Sequence, residues 1–84
     1  MSKAFVFLNC DLGTERNVVD EMKSITGVSH AMNVSGIYDI VAELDSDTED
    51  GISKIVRRMR LINNIKSSIT MVVAEKNSGL EAGR

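Results

Sequence analysis

Apolar residues recur along this chain at two spacings, and the order in which the spacings alternate specifies a fold. Ala4 to Cys10 is a nearly unbroken apolar run. In an extended chain Phe5 and Phe7 fall on one side, and Ala4, Val6, Leu8 and Cys10 on the other. A strand apolar on both sides is covered on both sides, as a central strand is. Asp11-Leu12-Gly13 ends it. Thr14 then suits a helix N-cap, and Glu15 places a negative charge in the first turn. Val18, Met22 and Ile25 repeat at helical spacing, with Val19 widening the stripe, so this helix buries one face. Gly27 suits the left-handed position after a helix, and Val28 the apolar contact of a Schellman ending.

From Val28 to Ser35 the pattern changes to alternation. Val28, His30, Met32 and Val34 point one way and Ser29, Ala31, Asn33 and Ser35 the other. One side is small or polar, which predicts an edge strand. Gly36-Ile37-Tyr38-Asp39 turns the chain into a further strand from Tyr38 to Asp45. In that strand Tyr38, Ile40, Ala42 and Leu44 share one face and Asp39, Val41, Glu43 and Asp45 the other. Ser46 and Glu49 fit a capping box. Ile52, Ile55, Val56, Met59 and Ile62 trace a second amphipathic helix, stopped by Asn63-Asn64. Ile65 to Ala74 is the last strand, with Ile65, Ile69, Met71 and Val73 as its apolar positions.

The order is strand, helix, strand, strand, helix, strand. It predicts an α+β fold, the ferredoxin-like βαββαβ plait: an antiparallel four-stranded sheet with two helices on one face. The first and last strands also carry apolar residues on the face the helices leave bare. A bare apolar sheet face implies a partner, most simply a second copy packed sheet to sheet. Residues 1–75 form this single domain; residues 76–84 lack any period and read as a flexible tail.

Composition narrows the function classes. The chain has 84 residues, of which 43% are hydrophobic and 26% charged, an ordinary balance for one globular domain. A domain this small buries only roughly 60–65% of its unfolded surface, so association helps it. A formal net charge of −2 argues against a primary grip on nucleic acid. Cys10 is the only cysteine, which excludes an intrachain disulfide and, with no signal pattern after Met1, predicts a cytoplasmic protein. No apolar run approaches the length of a membrane span.

Candidate chemistry is sparse. His30 is the only histidine and has no partner at metal-ligand spacing, so no metal or other cofactor is expected. The acidic run from Asp45 to Asp50 lacks the length and central glycine of a calcium loop, and capping accounts for it. Arg57-Arg58-Met59-Arg60 reads as a solvated helix face. Neither the Walker nor the dinucleotide glycine pattern occurs. The better candidates are Tyr38 and Asp39 in the glycine turn, and Ser68 and Thr70, whose hydroxyls share a strand face. Each also has a structural reading: Tyr38 in the core, Asp39 in a local turn hydrogen bond, and the hydroxyls as ordinary strand polarity.

With this element order and Gly36-Ile37-Tyr38-Asp39 in hand, the chain resembles the effector-binding (RAM) domain of the Lrp/AsnC regulators. The resemblance covers about Ala4 to Glu75. It rests on the Gly-x-Tyr-Asp turn, on Gly27-Val28 opening the strand before it, and on Ser68 and Thr70 where the family often has Thr-x-Thr. It implies a stand-alone domain, since the first strand starts too early to leave room for a helix-turn-helix. It further implies a homo-oligomer, a dimer or ring of dimers, that takes an amino acid or related metabolite where dimers meet. Gly36, Ile37, Tyr38 and Asp39 are then expected to line the site, with hydroxyls from Ser68 and Thr70 and a contact near Thr48. Full-length Lrp/AsnC regulators are expected partners; direct DNA binding, membrane association and catalysis are not. Two alternatives remain open on the residues: a dimeric α+β-barrel enzyme using His30 and Tyr38, and a purely structural oligomerisation partner.

Overall fold

The computed structural model describes residues 1–74. The tail expected over 76–84, and the domain boundary at 75, lie outside the described residues. Six elements follow in order: β1 (Ser2–Cys10), α1 (Glu15–Lys23), β2 (Val28–Asn33), β3 (Ile40–Ser46), α2 (Glu49–Met59) and β4 (Ile65–Val72). The strands form one sheet in the order β2-β3-β1-β4, and every neighbouring pair is antiparallel. This is the plait that the periodicity predicts, with the apolar run of β1 in the centre and the weakly patterned β2 at an edge.

One core holds it together. Ala4, Val6 and Leu8 of β1 and Ile40, Ala42 and Leu44 of β3 are essentially inaccessible to solvent. They form a single cluster with Val18 and Met22 of α1 and Ile52, Ile55 and Met59 of α2, so both helices lie on the same sheet face. Each large side chain fully buried here contributes about 1.5–3 kcal/mol. The helices pack over β1, β2 and β3, leaving the inner face of β4 largely without a helix above it.

Two bulges overturn the simple alternation. Val28 pairs with Leu44 but His30 pairs with Glu43, so Ser29 is an extra residue. Val28 therefore packs toward the core, while His30 and Met32 turn to the opposite, open face beside Glu43 and Val41. The four residues predicted to share a side do not. In β4 the shift between Asn9 and Cys10 of β1 does the same: Ile65 packs on the core, whereas Ile69 and Met71 face outward opposite Phe7 and Phe5.

The helix ends also differ from expectation. Helix α1 stops at Lys23, and Ile25 instead lies in a turn that Gly27 completes at φ +102°. The Thr14 hydroxyl donates back to the Asp11 carbonyl (2.7 Å) and does not cap α1. In α2 the cap is Thr48, whose hydroxyl accepts from the Gly51 N–H at 3.0 Å, in place of the Ser46–Glu49 box.

The outward face of the sheet carries Met32, Val41, Phe7 and Ile69 in one cross-strand row and His30, Glu43, Phe5 and Met71 in the next. Met32 and Met71 are more than half exposed. The bare apolar face expected from sequence is therefore present, with a polar margin at one corner.

Candidate functional site

The Gly36 turn grows out of the β2–β3 hairpin. The Val34 N–H donates to the Asp39 carbonyl at 2.8 Å and closes the loop. Gly36 sits at φ +148°, a backbone state that side chains disfavour, with open space where a Cβ would stand. Ile37 projects almost fully into solvent. Tyr38 precedes β3 and is not in the core; its ring meets Phe7 with centroids 5.8 Å apart and planes tilted by 53°. It extends the outward apolar face.

Asp39 anchors the turn to the central strand. Its N–H donates to the Leu8 carbonyl at 3.0 Å, and its Oδ2 accepts the Cys10 N–H at 3.0 Å. That carboxylate completes the ladder where β1 outruns β3, a long-range role and not the local turn bond expected. Its Oδ1 accepts no hydrogen bond from the described residues. Cys10 itself is buried, and loss of solvent is the main cause that pushes its thiol above the usual range. It is a poor nucleophile.

Ser68 and Thr70 lie on the helix side of β4, opposite Leu8 and Val6. Leu8 also pairs with Ile40, so Ser68 sits two strand spacings, roughly 10 Å, from the start of β3. Thr70 stands out: among the described residues its Oγ1 is shielded from solvent and has no hydrogen-bond partner. A shielded hydroxyl without a partner calls for an acceptor or donor from elsewhere. Thr48 is at the far end of the sheet, exposed and engaged as the α2 cap. The structure thus brings Tyr38 and Asp39 together at the end of β1 and places Ser68 in an adjoining row. It does not gather all seven expected residues into one cavity of a single protomer.

A polar cluster at the other end of β1 escaped the sequence reading. Lys3 Nζ donates to Glu43 Oε2 and, at 3.0 Å, to Asp45 Oδ1, and His30 Nδ1 stands 3.4 Å from Glu43 Oε1. These hydrogen bonds, Glu43 first and Asp45 second, raise the Lys3 ammonium above its ordinary value. The same contact, with a smaller one from the Ser29 hydroxyl, lowers the Asp45 carboxyl. The parity of Lys3, Glu43 and Asp45 was visible in the sequence; their meeting depends on the β1–β3 register. Among the described residues no three His, Cys, Asp or Glu side chains converge as a metal site. No described helix is long and apolar enough to cross a membrane.

No family model matches the chain. Solved structures do. The chain superposes on FFRP-DM1 with a TM-score of 0.78 and 28% identity, covering 87% of this chain and 99% of that one. A hypothetical protein from Pyrococcus horikoshii matches at a TM-score of 0.78 and 28% identity, over 93% of this chain and 96% of its own. The feast or famine regulatory protein of M. tuberculosis, solved with L-methionine, shares the fold at a TM-score of 0.74 and 16% identity; 89% of this chain covers 51% of it. Among curated proteins, homocitrate synthase of Saccharolobus islandicus is 25% identical over 75 residues, 88% of this chain. The chain spans only 16% of the length of that enzyme.

Proposed function

We propose, from the premise that this chain has the fold of the Lrp/AsnC effector-binding domain, that it is a ligand-responsive oligomerisation module whose guest is an amino acid. Regulators are among its solved neighbours, and one of them was solved with L-methionine. The observation that carries the reading is the shared fold with those regulators over 88–89% of this chain.

The chemistry fits such a guest. A zwitterion needs donors for its carboxylate and an acceptor for its ammonium. The open peptide groups around Gly36 and the unpartnered hydroxyl of Thr70 supply the first, and the free oxygen of Asp39 the second. These groups belong to separate stretches of one protomer, so the pocket forms where copies meet. The outward rows of Phe5, Phe7, Ile69 and Met71 supply the primary contact, packed against a twin. A ligand that prefers one assembly state then shifts the population toward it. Through mixed assemblies with full-length Lrp/AsnC regulators, that shift would reach transcription.

The homocitrate synthase match favours a second reading in which the partner is an enzyme. A like segment forms a small part of that long enzyme, as it forms about half of the regulators. A module shared by both is a sensor, and catalysis belongs elsewhere. Calorimetric titration against a panel of amino acids, with solution mass followed in parallel, tests the proposal. Binding coupled to a change in mass supports it; a fixed mass with no binding favours the structural-partner reading.

A further inference from the structure

We infer that the outer face of α2 docks on the α2 of a second copy, antiparallel across a twofold axis, and so joins one sheet-paired dimer to the next. The contact rests on the sheet-to-sheet pairing proposed above and needs no amino-acid guest.

The charge pattern of α2 carries it. Three acids precede the middle of the helix and three arginines follow it. They stand at mirror positions about the Ser53–Lys54 bond: Asp50 with Arg57, Glu49 with Arg58, and Asp47 with Arg60. When two copies cross antiparallel at that bond, each acid of one faces an arginine of the other, and every pairing occurs twice. The same register suits the packing. At 3.6 residues per turn, Asp50 and Arg57 lie within about 20° of each other around the helix. They stand roughly opposite Ile52, Ile55 and Met59, which are buried. All six charged residues are exposed, and Ser53 at the crossing is small. The helix dipole favours acids at one end and bases at the other, but it sets no mirror register.

These charges are also unspent. The ion pairs among the described residues all involve Lys3 or Glu43, on the outward sheet face. None of the six α2 charges has a partner among the described residues. Both helices lie on the sheet face away from the twin, so a sheet-paired dimer presents two such α2 faces. Single exposed ion pairs contribute little, and a network contributes more. Helix α2 is only about 17 Å long, so one crossing buries less than the roughly 1,000 Å² that a stable interface needs. It therefore acts between dimers and does not hold two lone chains together.

The test is the solution mass of the whole protein by light scattering, at low salt and in about 1 M sodium chloride, where charges are screened. The wild type is expected to be a multiple of dimers at low salt and to fall to the dimer at high salt. Asp50→Arg and Arg57→Asp each set like charges face to face, so each alone should stay a dimer at low salt. Mixed in equal amounts they should regain the larger mass. One variant then carries only positive charge at the two positions and the other only negative, so unlike copies attract. Far-UV circular dichroism checks that both variants are folded, and the salt comparison needs no variant. A wild-type mass that ignores salt, a folded variant with the wild-type mass, or a mixture no larger than its components would each overturn the proposal. A wild type that is a dimer at both salts overturns this contact and leaves the sheet pairing standing; a wild type monomeric at both overturns the two together.

Discussion

Replacing Thr70 by valine should make the ligand-free protein more stable and the ligand bind less well. Among the described residues the Thr70 Oγ1 is shielded and unpartnered, and it lies on the helix side of an edge strand that no described helix covers well. Valine keeps the β-branched shape that suits a strand and removes only the hydroxyl. An unsatisfied buried polar group costs about 1–3 kcal/mol. We therefore expect Thr70→Val to gain roughly 1–2 kcal/mol, which for a domain of this size raises the melting temperature by roughly 4–8 °C per kcal/mol. A hydrogen bond to a charged group contributes about 1.5–3 kcal/mol, so losing the one to a guest carboxylate weakens binding roughly ten- to a hundredfold. Urea denaturation without ligand, repeated over a range of protein concentrations, reads the first effect. Calorimetry with the amino acid that binds the wild type best reads the second. A variant that unfolds at lower urea than the wild type shows that the hydroxyl is satisfied in solution. A variant with unchanged affinity removes Thr70 from the site.

Other perturbations address the scaffold. Asp39→Ala strands the Cys10 N–H, whose acceptor is the Asp39 carboxylate, and should cost about 1–3 kcal/mol by denaturant titration; an unmoved midpoint refutes the anchoring role. Gly27→Ala meets both a left-handed φ of +102° and a clash of the new Cβ with the Ile55 side chain, and should cost about 1–3 kcal/mol by thermal melting; a neutral result refutes the backbone strain at this position. Lys3→Met should remove a stabilisation bounded on both sides in pH. The lowered Asp45 contributes stability above its unfolded value of about 3.9, lost as pH falls through its lower folded value. The raised Lys3 contributes below about 10.4, lost as pH climbs through its higher folded value. The wild-type and variant stability curves should therefore converge in strong acid and in strong base; a constant offset contradicts the pairing.

Much of this was legible from residue spacing, and the failures have identifiable physical causes. The apolar run of β1 and the stripes of α1 and α2 reflect burial on one core, so period alone finds them. Strand β2 misled because Ser29 bulges out: parity is a property of the ladder, and one extra residue sends His30 and Met32 to the other face. The same error in β4 separated Ile65 from Ile69 and Met71. Gly36 was a sound marker of a turn, because only φ distinguishes that position. Asp39 drew notice as a turn residue, yet its partner Cys10 lies 29 residues away and no local rule could name it. The Lys3–Glu43–Asp45 cluster was missed for the same reason, since its members meet across β1 and β3. Thr70 was singled out for its hydroxyl; that the hydroxyl is shielded and alone required the packing.

The most direct measurement is the solution mass by light scattering over a wide concentration range, for the wild type and for Phe7→Asp, with and without amino acids. Phe7 lies in the middle of the outward apolar face, paired with Val41 and Ile69, so a charge there should block sheet-to-sheet pairing. The account requires a wild type that is a dimer or a multiple of dimers, shifted by the amino acid it binds, and a variant reduced to single chains. A wild type that stays monomeric at high concentration, and binds an amino acid as such, contradicts it.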